Sequence, residues 1–110
     1  MLRLTLFFTF TLLAGSAQSQ DTQAAKSFVA FTQEFEATCV SREAVQLLIK
    51  STHPKRKIRV GRDRFHMGVG TGDRSKTDLL PNAEPEPLGC SRTLSGAQEW
   101  RVVRAEFIDE

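Results

Sequence analysis

The chain has no tyrosine, one tryptophan, one asparagine and two cysteines among its 110 residues. Each scarcity excludes something. The single asparagine, Asn82, is followed by Ala-Glu, so there is no acceptor site for N-glycosylation. Two cysteines about 50 residues apart do not form a zinc-ligand cluster, and His53 and His66 add no further ligands at metal spacing. No serine sits in a Gly-x-Ser-x-Gly context, which leaves a hydrolase triad without support. The basic residues have no aromatic stacking platform among them, and this argues against a nucleic-acid partner. There are no internal repeats and no low-complexity tract. Beyond the first 20 residues no hydrophobic run approaches the ~20 apolar residues a membrane span requires.

The N-terminus differs in kind from the rest. Arg3 supplies a positive start, Leu4 to Leu13 carry no charge, and the small residues Ala14, Gly15, Ser16 and Ala17 precede a polar run. That order is the layout of a cleavable signal peptide over residues 1–20, with cuts after Ala17 or Ser19 both satisfying the small-residue rule. The apolar run is about half the length of a spanning helix. The expected product is therefore one small domain, residues 21–110, periplasmic or secreted and without a transmembrane span. The twofold excess of Arg over Lys points to a GC-rich bacterial genome and so to a Gram-negative periplasm. In an oxidising compartment Cys39 and Cys90 have one internal pairing available. Closing that loop contributes roughly 4 kcal/mol in the chain-entropy model. A domain of about 90 residues has a marginal core, so such a staple carries a large share of its stability.

Hydrophobic spacing predicts helix and then sheet. Phe28, Phe31 and Phe35 recur at intervals of three and four, which predicts a helix over 22–36 capped by Asp21 or Thr22. A break is expected over Ala37–Ser41. A second helix over 42–50 follows, with Val45, Leu48 and Ile49 inward and Pro54 forbidding continuation. From Lys57 the period becomes two. Lys57–Val60 and Phe65–Val69 read as strands joined by a turn at Gly61-Arg62-Asp63. Residues 70–89, rich in Gly and Pro, read as a flexible loop. Residues 98–108 give the best strand, with Trp100, Val102, Arg104, Glu106 and Ile108 on one side; Cys90–Leu94 is a candidate fourth strand. The fold class expected is α+β, helical segments packed on an antiparallel sheet of three to four strands with one disulfide.

The net charge of +2 hides a block: residues 50–76 carry nine Lys or Arg against Asp63 and Asp73. Lys57 and Arg59 alternate with Ile58 and Val60 and so share the polar face of a strand. Arg64 and His66 are expected to join them across the hairpin, with Arg62 at its tip and Lys55 and Arg56 just before. Lys55, Arg56, Lys57, Arg59, Arg62 and Arg64 are thus the candidate binding residues, and 55–60 fits the loose basic pattern of heparin-like polyanion sites. Such a cluster attracts phosphate, sulfate or carboxylate groups on an anionic surface or a protein; a run of one sign is also what a merely solvated face looks like. Two other functions compete. Loop 70–89 could dock a protein as an inhibitor or accessory subunit does. His53 and His66 could share acid–base cleavage of a phosphodiester, provided they meet. The glycines of 68–72 have no following helix to receive a phosphate, so no nucleotide loop is assigned. No catalytic residue, metal or cofactor is expected. The leading reading is a non-enzymatic exported binding module.

Overall fold

The computed structural model describes residues 17–108; of the expected leader, residues 1–16 lie outside the described residues and 17–20 begin the first helix. The elements run α1 (Ala17–Ser27), β1 (Val29–Glu34), α2 (Ala37–Val40), β2 (Gln46–Ser51), β3 (Lys57–His66), β4 (Val69–Leu79), β5 (Glu86–Cys90), β6 (Arg92–Thr93) and β7 (Gly96–Ile108). They form two antiparallel sheets, β1-β2-β5 and β4-β3-β7-β6, with two short helices. The chain is dominated by strands, and helix on sheet describes only part of it.

The first departure from expectation lies at Phe28. Helix α1 stops at Ser27, whose hydroxyl donates to the Ala24 carbonyl at 2.6 Å. The chain then extends into β1, which pairs with all six positions of β2 from Val29↔Ser51 to Glu34↔Gln46. Val29 and Thr32 are β-branched, and a pleated neighbour suits them better than a helix. The phenylalanine stripe is consequently split: Phe28 packs against the core, whereas Phe31 and Phe35 are 45% and 79% exposed. The second expected helix is strand β2. Its run Leu47-Leu48-Ile49 is apolar at consecutive positions, a pattern equally suited to a strand covered on both faces, and both Leu48 and Ile49 are buried. The expected break at 37–41 is instead the helical turn α2, capped by Glu36, whose carboxylate accepts from the Cys39 N–H at 3.1 Å.

The sheet half keeps its strands and moves its turns. β3 runs unbroken through Gly61-Arg62-Asp63, and the hairpin turn is Met67-Gly68, both with positive φ (51° and 80°) between the paired residues His66 and Val69. Two such residues in a two-residue loop match the right-handed twist of the flanking strands. Residues 70–79 are not a loop: they form most of β4. Gly72 (φ 82°) serves a bulge where three residues of β4 face one of β3, between the Asp63↔Arg74 and Phe65↔Gly70 pairs. Pro87 is accommodated because β5 is the edge of its sheet. The expected strand at 90–94 is the two-residue β6.

The core lies where the sheets face each other. Ile49 of the first sheet meets Ile58, Val60, Leu79 and Ala105 of the second, with Ala25 of α1 closing the cluster and Phe28, Val29, Leu88, Val102 and Phe107 around it. Helix α1 packs on β7. Cys39 and Cys90 are joined, binding α2 to the end of β5. Beside that bridge the ring of Trp100 covers Gly89, where a Cβ would come within 2.8 Å of the ring and φ is 151°.

Two stability outcomes follow. Replacing both Cys39 and Cys90 by Ser lowers unfolding stability by about 2–4 kcal/mol in denaturant titration. Gly89→Ala forces Trp100 aside and costs about 1–3 kcal/mol, with an altered Trp100 emission in the folded state as its signature.

Candidate functional site

Burial of Ile58 and Val60, both without solvent exposure, fixes the faces of β3. Alternation then sends Lys57, Arg59, Gly61 and Asp63 to the outer face, away from the core, and Arg62 to the inner side. The six expected binding residues therefore do not share one surface. Arg62 is in mid-strand rather than at a tip, and its guanidinium donates to Thr77 Oγ1. Arg64 donates to Asp73 Oδ2 at 3.0 Å and to Gln98 Oε1 at 3.3 Å; the β4 bulge delivers that aspartate. Arg56 lies 4.0 Å from the Phe107 ring centroid, a cation–π contact. Lys55 is exposed in the turn before β3. Only Lys57 and Arg59 stand on the outer face, and Arg59 is bidentate to Asp78, at 2.8 and 3.2 Å.

The two histidines are separated as well. His53 packs edge-on against Phe28 and Phe107, and its Nδ1 accepts from the backbone N–H groups of Lys55 and Arg56 at 3.1 and 2.8 Å. It holds the turn into β3. His66 ends β3, with Nε2 3.2 Å from both Thr93 Oγ1 and Ser95 Oγ. Phe107 pairs with Ile58, so the imidazoles sit roughly 26 Å apart along the strand. One cannot take a proton while the other gives one at a single phosphodiester. Glu36, Cys39 and Cys90 bring an oxygen and two sulfurs within 4.8 Å, but those sulfurs are bonded to each other and are not thiolate ligands.

The outer face has an order of its own. In the register of β4, β3 and β7, Arg59 stands between Asp78 and Glu106, Gly61 between Lys76 and Arg104, and Asp63 between Arg74 and Arg101. In the first row and the third, the central charge opposes both neighbours, the favourable cross-strand arrangement. In the middle row two cations flank a residue with no side chain. A groove of about 390 Å³ lies there, lined by residues 61–63 of β3, 74–76 of β4, and Val103 and Arg104 of β7. Val103 reaches this rim through a β7 bulge, Gly61↔Arg104 being followed by Arg62↔Val102. The same bulge puts Trp100 and Val102 on the inner side with Ala105 and Phe107, not on the side of Arg104 as unbroken alternation predicts.

Nothing in the backbone requires glycine at 61. Its φ is not positive, and a Cβ would find only ordinary contacts, 3.4 Å to Arg104 Cβ and 3.8 Å to Val103 Cγ2. The missing side chain leaves space between Lys76 and Arg104. Asp63 answers Arg74, whose Nε stands 3.7 Å from its Oδ1, an ion pair too long for a hydrogen bond, and that oxygen is buried without a hydrogen-bond partner. Sequence reading missed Gly61, Lys76 and Arg104 because it took the first for a turn and the second for loop. Comparison with family models, with curated proteins and with solved structures gives no match.

The Arg59–Asp78 pair carries a pH signature. Hydrogen bonds from Arg59 hold the Asp78 carboxyl below its ordinary range; partial desolvation opposes this, and the charges of Arg59 and Lys57 add to it. A carboxylate with a depressed folded pKa stabilises fully above its unfolded value, about 3.9, and loses that contribution as pH falls through the folded one. The melting temperature of Asp78→Asn should therefore lie below that of the parent by a constant margin above pH ~5, the margin closing as pH falls below ~4.

Proposed function

We propose that this chain is an exported, non-enzymatic binding module, and that it holds an anionic group of its partner over Gly61, between Lys76 and Arg104. The observation that carries the reading is the vacancy in the charge pattern. Rows on both sides place a charged side chain at the centre, whereas this row leaves room beneath two exposed cations and a third, Arg74, beside them. Lys76 and Arg104 stand on the two strands that flank Gly61, about 10 Å apart at the backbone, and an anion seated between them is attracted by both. Lys57, in the same column of β3, extends the positive field along the outer face, and Lys55 stands in the turn leading to it. Arg59, Arg62 and Arg64, engaged with Asp78, Thr77 and Asp73, act as the frame of the site.

Export is supported by the disulfide, since such bonds persist in oxidising compartments. Among the described residues no helix is long and apolar enough to cross a membrane. The leader over 1–20 remains part of this proposal, as does the periplasm as its destination.

Gly61→Glu tests the reading from both sides. The new carboxylate occupies the vacancy and pairs with Lys76 and Arg104, while glycine's entropic cost in a strand is removed. Stability should rise by about 0.5–1 kcal/mol, and binding of inorganic phosphate, followed by calorimetry or amide shifts, should fall at least tenfold. Phosphate binding that survives Gly61→Glu and disappears with Lys55→Ala and Lys57→Ala would place the anion elsewhere.

A further inference from the structure

β4 is an edge of the four-stranded sheet, and the eight residues Val69 to Lys76 are all exposed. From Arg74 to Leu79 it pairs with β3 without interruption, Leu79↔Ile58 through Arg74↔Asp63. This stretch contains no proline. Its opposite edge, among the described residues, has no strand beside it and offers backbone N–H and C=O groups in regular array. An array of this kind is what an extended peptide uses when it adds to a sheet.

We propose that this edge takes an acidic peptide in extended conformation as an additional strand, with carboxylates two residues apart facing Arg74 and Lys76. The proposal rests on the anion-binding reading of the outer face and names the partner class. Its support is charge complementarity along the edge. On the outer face β4 presents Arg74, Lys76 and Asp78; Arg74 is 82% exposed at its side chain, and Asp78 is engaged by Arg59. A strand lying beside β4 sets its own residues directly opposite these, alternate ones on the same face. Acidic side chains at two successive outward positions meet Arg74 and Lys76, while the residue between them faces the side of Ser75. Such a strand also brings a carboxylate to the rim of the groove at Lys76. The charges that repel a basic strand here select an acidic one.

A second copy of the chain is the weaker occupant. Antiparallel self-pairing of β4 centred on Arg74 or on Lys76 places that residue opposite itself. Centring on Ser75 places Arg74 opposite Lys76 twice. Like charges directly opposite destabilise a strand pair, so these three registers begin from repulsion; centring on Thr77 sets Lys76 opposite Asp78, a carboxylate that Arg59 already holds.

The test uses the full chain and three probes: a blocked peptide with two glutamates two residues apart in a Thr/Val background, the same peptide with alternate backbone nitrogens methylated, and inorganic phosphate. The proposal expects the first peptide to bind, to slow hydrogen exchange of amides within Arg74–Leu79, and to lose at least tenfold in affinity when methylated. Arg74→Glu with Lys76→Glu should abolish that binding and give binding to the lysine counterpart of the peptide. If both peptides bind equally and β4 exchange is unchanged, the edge is not used and the groove alone takes carboxylates. If phosphate binds and neither peptide does, the edge proposal falls and the groove reading stands. If none of the three binds, both fall.

Discussion

Ile58 and Val60 have no contact with solvent, and their burial decides where every other side chain of β3 can stand. Once these two are pinned between the sheets, a strand's period of two sends Lys57, Arg59, Gly61 and Asp63 outward. A slip by one residue would expose both aliphatic side chains and bury Arg59, and burying a charge is costly. The outer face is therefore held in register by the inner one. Because β4 and β7 flank β3 on both sides, the same constraint lines up their charges into rows across three strands.

Those rows give the face its chemistry. Several cations of the basic block have partners within the molecule: Arg59 with Asp78, Arg64 with Asp73, Arg74 with Asp63, and Arg62 with the hydroxyl of Thr77. Exposed pairs of this kind contribute little to stability individually. Their consequence lies in what they leave over. On the outer face the row of Lys76 and Arg104 has no carboxylate at its centre, the one position of the column that carries no side chain. A run that looks in sequence like one long basic stretch is thus divided, in three dimensions, between the two faces of β3 and the turn before it.

How much of this was legible beforehand depends on which residues set each element. The strands at 57–60 and 98–108 could be read because alternation with buried partners is a local signal, and the disulfide because two cysteines in one chain have one internal pairing. Glycine misled twice. Gly61 resembled a turn residue next to Arg-Asp but lies in an unbroken strand, and Gly70 and Gly72 suggested a loop where one of them serves a bulge. The helix expected over 22–36 holds only as far as Ser27, because spacings of three and four among Phe28, Phe31 and Phe35 do not reveal that β2 would be available to pair. That partnership is a tertiary event, and it overrides local periodicity. Bulges hide from sequence for the same reason. The one at Val103 exchanges the faces of β7 midway, and only the register with β3 reveals that Arg104 faces the groove while Trp100 faces inward.

The account stands or falls on whether an anion settles over Gly61. The direct measurement is a titration of the isotopically labelled chain with sulfate at constant ionic strength, following backbone amides and the side-chain signals of Lys76 and Arg104. The predicted result is saturable shifts centred on Gly61, Lys76 and Arg104, with Arg59 and Arg64 little changed because their carboxylate partners hold them. Shifts confined to the turn around Lys55, or linear drift with no saturation at any residue, would contradict it.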